Sequence, residues 1–200
     1  MNDLFEWLPL GAIIQDKSTN HRVFCVHGGF GSTIAKLEDI EKINRPFKIN
    51  LGGINDQSQQ MAMDLLWSDP TNSEDMVGMH PNTQRDPTKQ NNIMCYGPDQ
   101  VDKFLKVNQL SMIIRSHQNV IDGIDHFASR QLITITSCCN YGGFENDACF
   151  LVVQKKLVIS PKIIKPSKAG TPWLAIDSVP DTADSCVRRP PTPAKQKVKD

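Results

Sequence analysis

The chain has 200 residues, with 22 lysines and arginines against 22 aspartates and glutamates, and 39% of its residues are hydrophobic. This length allows one domain of ordinary size and a tail. The balanced charge argues against nucleic acid or an anionic membrane surface as the main partner. The first residues include Asp3 and Glu6 and an apolar stretch broken by Pro9, unlike a signal peptide, and no stretch has the length of a membrane span.

The six cysteines show neither a Cys-x-x-Cys pair nor the spacing of a zinc ribbon. Cys25 and Cys149 lie in apolar runs typical of strands, where a reduced, buried thiol is expected. Cys138 and Cys139 are adjacent in the sequence, which leaves a vicinal disulfide open as an alternative to two thiols. Reduced cysteines fit a soluble protein of the nucleus and cytoplasm.

In the first half of the chain, residues 2–14 predict a short helix that runs into Leu8 and Pro9 and is followed by a strand at residues 12–14. A second strand is predicted at residues 23–26, because this run is apolar and rich in β-branched side chains. Apolar residues recur at a helical spacing through residues 33–43, with Ser32 or Thr33 as a candidate cap. Residues 44–61 are rich in asparagine, glutamine and glycine and are expected to be irregular.

Residues 69–95 form a long polar segment without periodicity, which predicts a functional or mobile loop. A helix is predicted to start at Pro98 and to end near Asn108. Apolar or alternating runs at residues 111–114, 132–137, 149–154 and 157–160 predict strands. From residue 167 onward proline, serine, threonine and lysine dominate, which predicts a disordered tail over residues 167–200. Its Pro-Pro-Thr-Pro segment is a candidate docking site for a partner, with an inert linker as the alternative.

Two histidines come just after apolar runs that predict buried strands. They are His27, in Val-His-Gly-Gly, and His117, in Arg-Ser-His-Gln. The rim of a sheet is where α/β proteins usually place their chemistry, and imidazole is a common metal ligand. The glycines after His27 allow a sharp turn and close approach of the backbone. Each histidine alone also fits a structural role.

Several motifs occur together in one order along the chain. Residues 65–70 read Leu-Leu-Trp-Ser-Asp-Pro, residues 115–118 read Arg-Ser-His-Gln, and residues 140–144 read Asn-Tyr-Gly-Gly-Phe. With residues 4–10 and the Val-His-Gly-Gly motif, they resemble the C-terminal half of the phosphoprotein phosphatases, the metal-dependent serine/threonine phosphatases. The resemblance runs from about residue 2 to about residue 166. Residues 44–46, 96–101, 160–166 and 189–193 are similar to the plant branch that carries a Kelch propeller and acts in brassinosteroid signalling.

The resemblance implies an α/β fold, in which residues 1–166 form part of a metallophosphoesterase β-sandwich flanked by helices. It implies that His27 and His117 each bind one metal of a two-metal pair, with Mn the expected ion and Fe or Zn as alternatives. It also implies that Arg85 holds a phosphate oxygen, that Tyr141 lines the phosphate pocket and that Asp69 orients its neighbours. The implied substrates are phosphoproteins. The sequence departs from the family around Arg85, where an extra residue precedes the arginine and Asp86 replaces the usual glycine, and at residues 137–139.

The family also uses Gly-Asp-x-His-Gly, Gly-Asp-x-Val-Asp-Arg-Gly and Gly-Asn-His-Glu motifs, and none of these occurs in the 200 residues. By resemblance, they carry the remaining metal ligands and the histidine that acts as general acid. We therefore expect a C-terminal fragment or truncated product that is inactive alone. The alternative is a non-catalytic interaction module derived from a phosphatase. A metallophosphoesterase acting on nucleotides would share the histidines, but the motifs at residues 65–70 and 140–141 argue against it.

Overall fold

The computed structural model describes residues 2–48, 54 and 56–166. The predicted tail, residues 167–200, lies outside the described residues together with its proline-rich segment. Among the helices of the described part, none has both the length and the apolar character needed to cross a membrane.

The described chain is a mixed α/β structure of four short to medium helices and ten strands, with two additional turns of 3-10 helix. The elements are α1 (Asn2–Phe5), β1 (Gly11–Gln15), β2 (Arg22–Val26), α2 (Leu37–Glu41), α3 (Gln57–Trp67), β3 (Asp69–Pro70), β4 (Met79–Pro81), β5 (Met94–Tyr96), α4 (Pro98–Asn108), β6 (Met112–Arg115), β7 (Ile124–Phe127), β8 (Leu132–Ile135), β9 (Ala148–Val153) and β10 (Ile159–Ile164), with the 3-10 turns at Tyr141–Gly143 and Lys155–Leu157. The predicted α/β fold class is confirmed.

The largest sheet has five strands in the order β1-β2-β6-β8-β7. Its three central strands are parallel, with Phe24 of β2 opposite Ile113 of β6 and Ile113 opposite Leu132 of β8. The edge strands β1 and β7 are antiparallel to their neighbours. Since parallel strands end at the same side of a sheet, the loops that follow β2 and β6 leave the sheet side by side. This alignment places the two histidine loops together.

Helix α4 lies against the apolar face of this sheet. It starts at Pro98, a residue whose fixed φ suits the first helical position, and ends at Asn108. Gln109 caps its C-terminus in the left-handed conformation, with a φ of 53°. Phe104 of α4 is 3% exposed and stacks on Phe30, with ring centroids 4.3 Å apart and the rings 8° from parallel. The predicted helix from Pro98 to Asn108 is confirmed. Burial of these aromatic rings stabilises the packing of α4 at this face.

The helix predicted over residues 33–43 is wrong in extent, because α2 covers only Leu37–Glu41. The buried Asp64 carboxylate accepts hydrogen bonds from the backbone N–H of Thr33 at 3.0 Å and from its hydroxyl at 2.6 Å. These bonds hold Thr33 in a loop that packs against α3. Burial raises the pKa of the Asp64 carboxyl, although the bonds from Thr33 and Gln60 oppose this effect.

Two predictions of irregular structure, for residues 44–61 and for residues 69–95, are also wrong in part. Helix α3 begins at Gln57, inside the segment expected to be irregular, and the Asp56 carboxylate caps it by accepting from the Gln59 N–H at 2.8 Å. Residues 69–96 contain three strands that form a small sheet in the order β3-β5-β4, so the segment predicted as a loop over residues 69–95 is largely structured. Strand β7 was also not predicted. Strands of two to four residues are too short to show a periodic pattern in the sequence.

Candidate functional site

The imidazole rings of His27 and His117 meet at the rim of the five-stranded sheet. The Nε2 atom of His27 lies 3.1 Å from Nδ1 of His117, and the ring centroids are 4.9 Å apart. The backbone N–H of Ser116 donates to the His27 carbonyl at 3.0 Å, so the two loops are joined as a continuation of the β2–β6 pairing. The structure therefore brings together two residues separated by 90 positions in the sequence.

The loop of His27 packs tightly against the end of α3. The N–H groups of Gly28 and Gly29 donate to the Leu65 carbonyl at 2.8 and 3.3 Å. A Cβ on Gly28 would lie 2.7 Å from the carbonyl carbon of Leu66, closer than real side chains approach. A glycine is required at this position because the two backbones are in contact. The contact fixes His27 relative to the C-terminal end of α3.

The backbone of His117 has a φ of 67°, a left-handed conformation that a non-glycine residue rarely adopts. Its carbonyl accepts a hydrogen bond from Arg85 Nη2 at 3.1 Å, and its ring contacts the Trp67 ring edge-on with centroids 5.3 Å apart. The Nε2 atom of His117 is buried and has no hydrogen-bond partner in the described part of the chain. Backbone strain of this kind is concentrated at functional sites.

Both histidines are neutral near pH 7. Burial lowers the pKa of the His117 ring to about 4, with Asp69 opposing and the Arg85 and Arg115 charges reinforcing the shift. Burial also lowers the pKa of His27, again with help from Arg115 and Arg85. A neutral imidazole has a free lone pair, which is the form that binds a metal ion. Burial, reinforced by the positive charges of Arg85 and Arg115, therefore keeps the rings in the ligand form.

Arg85 lies beside the histidine pair despite the unusual local sequence. Its Nε donates to Asp69 Oδ2 at 3.0 Å, and its side chain is 24% exposed. Asn82 donates to the same carboxylate oxygen at 2.9 Å and accepts the backbone N–H of Arg85 at 3.1 Å. Asp86, in place of the family's glycine, is buried and accepts the Asn91 N–H at 3.0 Å. The departure from the family pattern thus forms its own hydrogen-bonded turn and still aligns Arg85 with the site.

Asp69 lies behind Arg85, between that residue and a second arginine, Arg115. The Asp69–Arg115 ion pair is 2.6 Å long and almost fully buried. Burial alone would raise the pKa of the Asp69 carboxyl, but the Arg115 charge and the bonds from Asn82, Arg115 and Arg85 hold it below its usual value. The carboxylate stays ionised and holds Arg85 by accepting from its Nε. The orienting role that the resemblance implies for Asp69 stays a prediction. Sequence reasoning missed Arg115, although an arginine at the end of an apolar strand signals a buried, paired charge.

The rim loop after β8 presents Tyr141, which is 60% exposed. Asn146, fully buried, holds this loop closed: its Oδ1 accepts the Tyr141 N–H at 2.9 Å and its Nδ2 donates to the Cys138 carbonyl at 2.9 Å. Cys138 and Cys139 are both free thiols in this structure, without the vicinal disulfide considered as an alternative. Asn146 is a second positioning residue that sequence reasoning did not identify.

A cavity of about 540 Å³ lies at the centre of this arrangement. Four of the five predicted site residues line it, namely His27, Arg85, His117 and Tyr141. The fifth, Asp69, does not line the cavity, but it accepts a hydrogen bond from Arg85, which does. The other lining residues are Leu66, Trp67, Ser116, Gln118, Asn119, Thr136, Ser137 and Cys138.

The donor atoms at this site meet part of the needs of a resident metal ion. Two nitrogens 3.1 Å apart suit neighbouring positions around one ion, since metal–nitrogen bonds of about 2.0–2.1 Å place adjacent ligands at about that separation. Among the described residues, however, no three histidine, cysteine, aspartate or glutamate side chains converge to hold a metal. The described residues therefore supply two ligands but do not form a complete metal site.

Known phosphoesterases and protein phosphatases are similar to this chain in sequence and in fold. Residues 1–120 match the family described as calcineurin-like phosphoesterase. The sequence is 42% identical to serine/threonine-protein phosphatase BSL2 of Arabidopsis thaliana over 167 residues. The matched region covers 83% of this chain and 15% of BSL2. The fold matches a protein serine/threonine phosphatase of Saccharomyces cerevisiae with similarity to human phosphatase PP5, with a TM-score of 0.62 and 25% identity. That match covers 82% of this chain and 49% of the yeast chain.

Proposed function

The chain belongs to the calcineurin-like phosphoesterase family, and we propose that residues 1–166 form the C-terminal part of a catalytic domain that hydrolyses phosphoserine and phosphothreonine in proteins. The observation that carries the proposal is the His27–His117 pair, whose facing nitrogens lie 3.1 Å apart in a cavity that Arg85 also lines. Similarity to the plant and yeast serine/threonine phosphatases supports the protein substrate. Since the chain spans only 15% and 49% of these proteins, the whole activity is part of the proposal.

We assign the binding of a phosphate oxygen to Arg85. Its Nε and Nη2 atoms are engaged with Asp69 and with the His117 carbonyl, so Nη1 is the nitrogen assigned to the substrate. A guanidinium stays charged at any working pH and matches the geometry of a phosphate. Tyr141 lines the same cavity and is assigned to the phosphate pocket.

Members of this family of phosphoesterases use divalent metal ions. We propose Mn, with Fe or Zn as alternatives, because imidazole and carboxylate ligands suit these ions better than Mg. The described residues supply only two ligands, so we assign no chemical step to the 200-residue chain alone. Binding a phosphate through Arg85 would not produce catalysis, because binding the ground state does not lower the chemical barrier.

Three finer parts of the proposal concern branch, location and tail. The 42% identity to the plant phosphatase BSL2 supports the plant branch, for which the resemblance implies a Kelch propeller and a role in brassinosteroid signalling. The free thiols Cys25, Cys95, Cys138, Cys139 and Cys149 support a reducing compartment, the nucleus and cytoplasm. Docking of a partner on the proline-rich segment of residues 190–193 rests on composition alone.

The experiment compares the purified chain with and without a polypeptide that carries the three absent motifs, using a phosphothreonine peptide and Mn²⁺. We expect no turnover above buffer for the chain alone. We expect Mn²⁺-dependent turnover when the two polypeptides are combined, and its loss with His27→Ala or His117→Ala. His21→Ala is the matched control, since this exposed histidine bonds Ser111 and does not line the cavity.

Two outcomes would contradict the proposal in different ways. Mn²⁺-dependent turnover by the chain alone, abolished by either substitution, would mean that further residues of the chain complete the metal site. A combined mixture that associates but stays inactive would favour the interaction module. The exposed apolar side chains of Leu4, Phe5 and Trp7, each more than half exposed, are the observation that favours this second function.

A further inference from the structure

We propose that Arg115 is a positioning residue that sets the separation of the His27 and His117 rings and the direction of Arg85. The significance of this role rests on the proposed phosphatase function, since these three residues form the proposed site. The evidence is the way in which one buried guanidinium joins three separate segments of the chain.

Arg115 is the last residue of β6, and its side chain is 0% exposed. Each of its three guanidinium nitrogens is engaged. Nε donates to the Gly28 carbonyl at 2.6 Å, and Nη1 donates to Gln118 Oε1 at 2.7 Å. Nη2 donates to the Ser68 carbonyl at 3.2 Å and to Asp69 Oδ1 at 2.6 Å.

Each of these partners adjoins a residue of the site. Gly28 follows His27, and Gln118 follows His117. Asp69 holds Arg85 through its other oxygen at 3.0 Å, and Arg85 in turn donates to the His117 carbonyl at 3.1 Å. These bonds form a closed ring of contacts, which runs from Arg115 through Asp69 and Arg85 to the His117–Gln118 segment and back to Arg115. A shift of the Arg115 side chain would therefore displace both histidine loops and Arg85 together.

Stability alone does not explain a charged residue at this position. The neighbouring strand residues Ile113 and Ile114 are buried and apolar. A buried ion pair is often no more stabilising than apolar residues of the same volume, because removing both charges from water is costly. A planar fork that donates in three fixed directions, in contrast, defines the relative positions of three loops. Lysine retains the charge but lacks the fork.

The test uses the full chain, free of metal, with Arg115→Lys as the main variant and Arg115→Met as the second. The matched control is Asn108→Ala, which removes another buried polar side chain with bonds to Leu37, Ala35 and Phe104, none of which lines the cavity. Long-range ¹H–¹⁵N NMR of the imidazole nitrogens reports whether one ring donates to the other. Cu²⁺ binding, followed by electron paramagnetic resonance, reports whether two imidazole nitrogens reach one ion.

We expect the wild-type chain to show the ring-to-ring hydrogen bond and to bind one Cu²⁺ through two imidazoles. In Arg115→Lys we expect loss of the hydrogen bond and Cu²⁺ affinity about tenfold weaker or more, the effect typical of residues that orient metal ligands. Asn108→Ala should lower the unfolding midpoint and leave both readouts unchanged. A purely structural role for Arg115 would instead lower the midpoint without changing the ring readouts.

A folded Arg115→Lys chain with the wild-type ring signals and Cu²⁺ affinity would overturn the proposal. So would a wild-type chain whose rings show no contact. If both Arg115 variants fail to fold, Gln118→Ala provides the test, because it removes only the acceptor of Nη1. We expect Cu²⁺ affinity about fivefold weaker there, equivalent to one hydrogen bond, and no change would again overturn the proposal. Neither readout involves turnover, so failure of this inference and failure of the proposed function are distinguishable.

Discussion

The stability of the folded chain should depend on pH through His117. The pKa of this ring falls from its usual 6.5 to about 4 on folding, chiefly because of burial. Between these two values the unfolded chain binds a proton that the folded chain does not, so lowering the pH favours unfolding. The contribution of His117 is therefore fully present above pH 6.5 and is lost as the pH falls toward 4.

The size of the effect follows from the shift. A difference of this size corresponds to about 3 kcal/mol in the free energy of unfolding. The ring borders an open cavity, and solvent screening should reduce the measurable effect to about 1–2 kcal/mol. The pKa values of His27 and His126 are also lowered by burial, so the wild-type chain should lose stability from these residues in the same pH range.

The assay is urea unfolding of the metal-free chain at several values between pH 7.5 and pH 4.5, for the wild type, His117→Gln and His21→Gln. The wild type and the exposed control His21→Gln should lose stability along parallel curves. His117→Gln should lose about 1–2 kcal/mol less across the range, because it has no ring to protonate. Parallel curves for the wild type and His117→Gln would refute the assigned burial of this ring.

Three further predictions concern stability at neutral pH and use the same urea assay. Asp69→Asn leaves two arginines without their shared carboxylate and should cost about 3–5 kcal/mol, whereas a cost below 1 kcal/mol would contradict the buried ion pair. Phe104→Ala removes a core ring and should cost about 3–5 kcal/mol, and Val107→Ala, on the exposed side of the same helix, should cost under about 1 kcal/mol. Gly28→Ala forces a methyl group against the Leu66 carbonyl and should cost about 1–3 kcal/mol; a neutral effect would mean that the two loops are not in contact.

Local patterns in the sequence were enough to predict the elements that have strong local signals. Helix α4 combines Pro98 at its start with apolar residues at a helical spacing, and its predicted bounds agree with the structure. The strands before His27 and His117 were predicted from their β-branched, apolar composition. Helix α3 was missed, because its first residues are polar and its cap, Asp56, lies in a segment without periodicity. The ordered motifs identified the family, which the comparisons confirm.

The arrangement of the site depends on contacts between distant segments. His27 and His117 meet only because β2 and β6 are parallel neighbours, and no spacing in the sequence encodes that pairing. Arg85 is aligned by Asp69 and Asn82 in spite of its unusual local sequence. Arg115 joins three loops through bonds that span up to 87 residues. Periodicity and capping report the preferences of neighbouring residues, whereas the directions of buried polar side chains are fixed by the hydrogen bonds that compensate their loss of water.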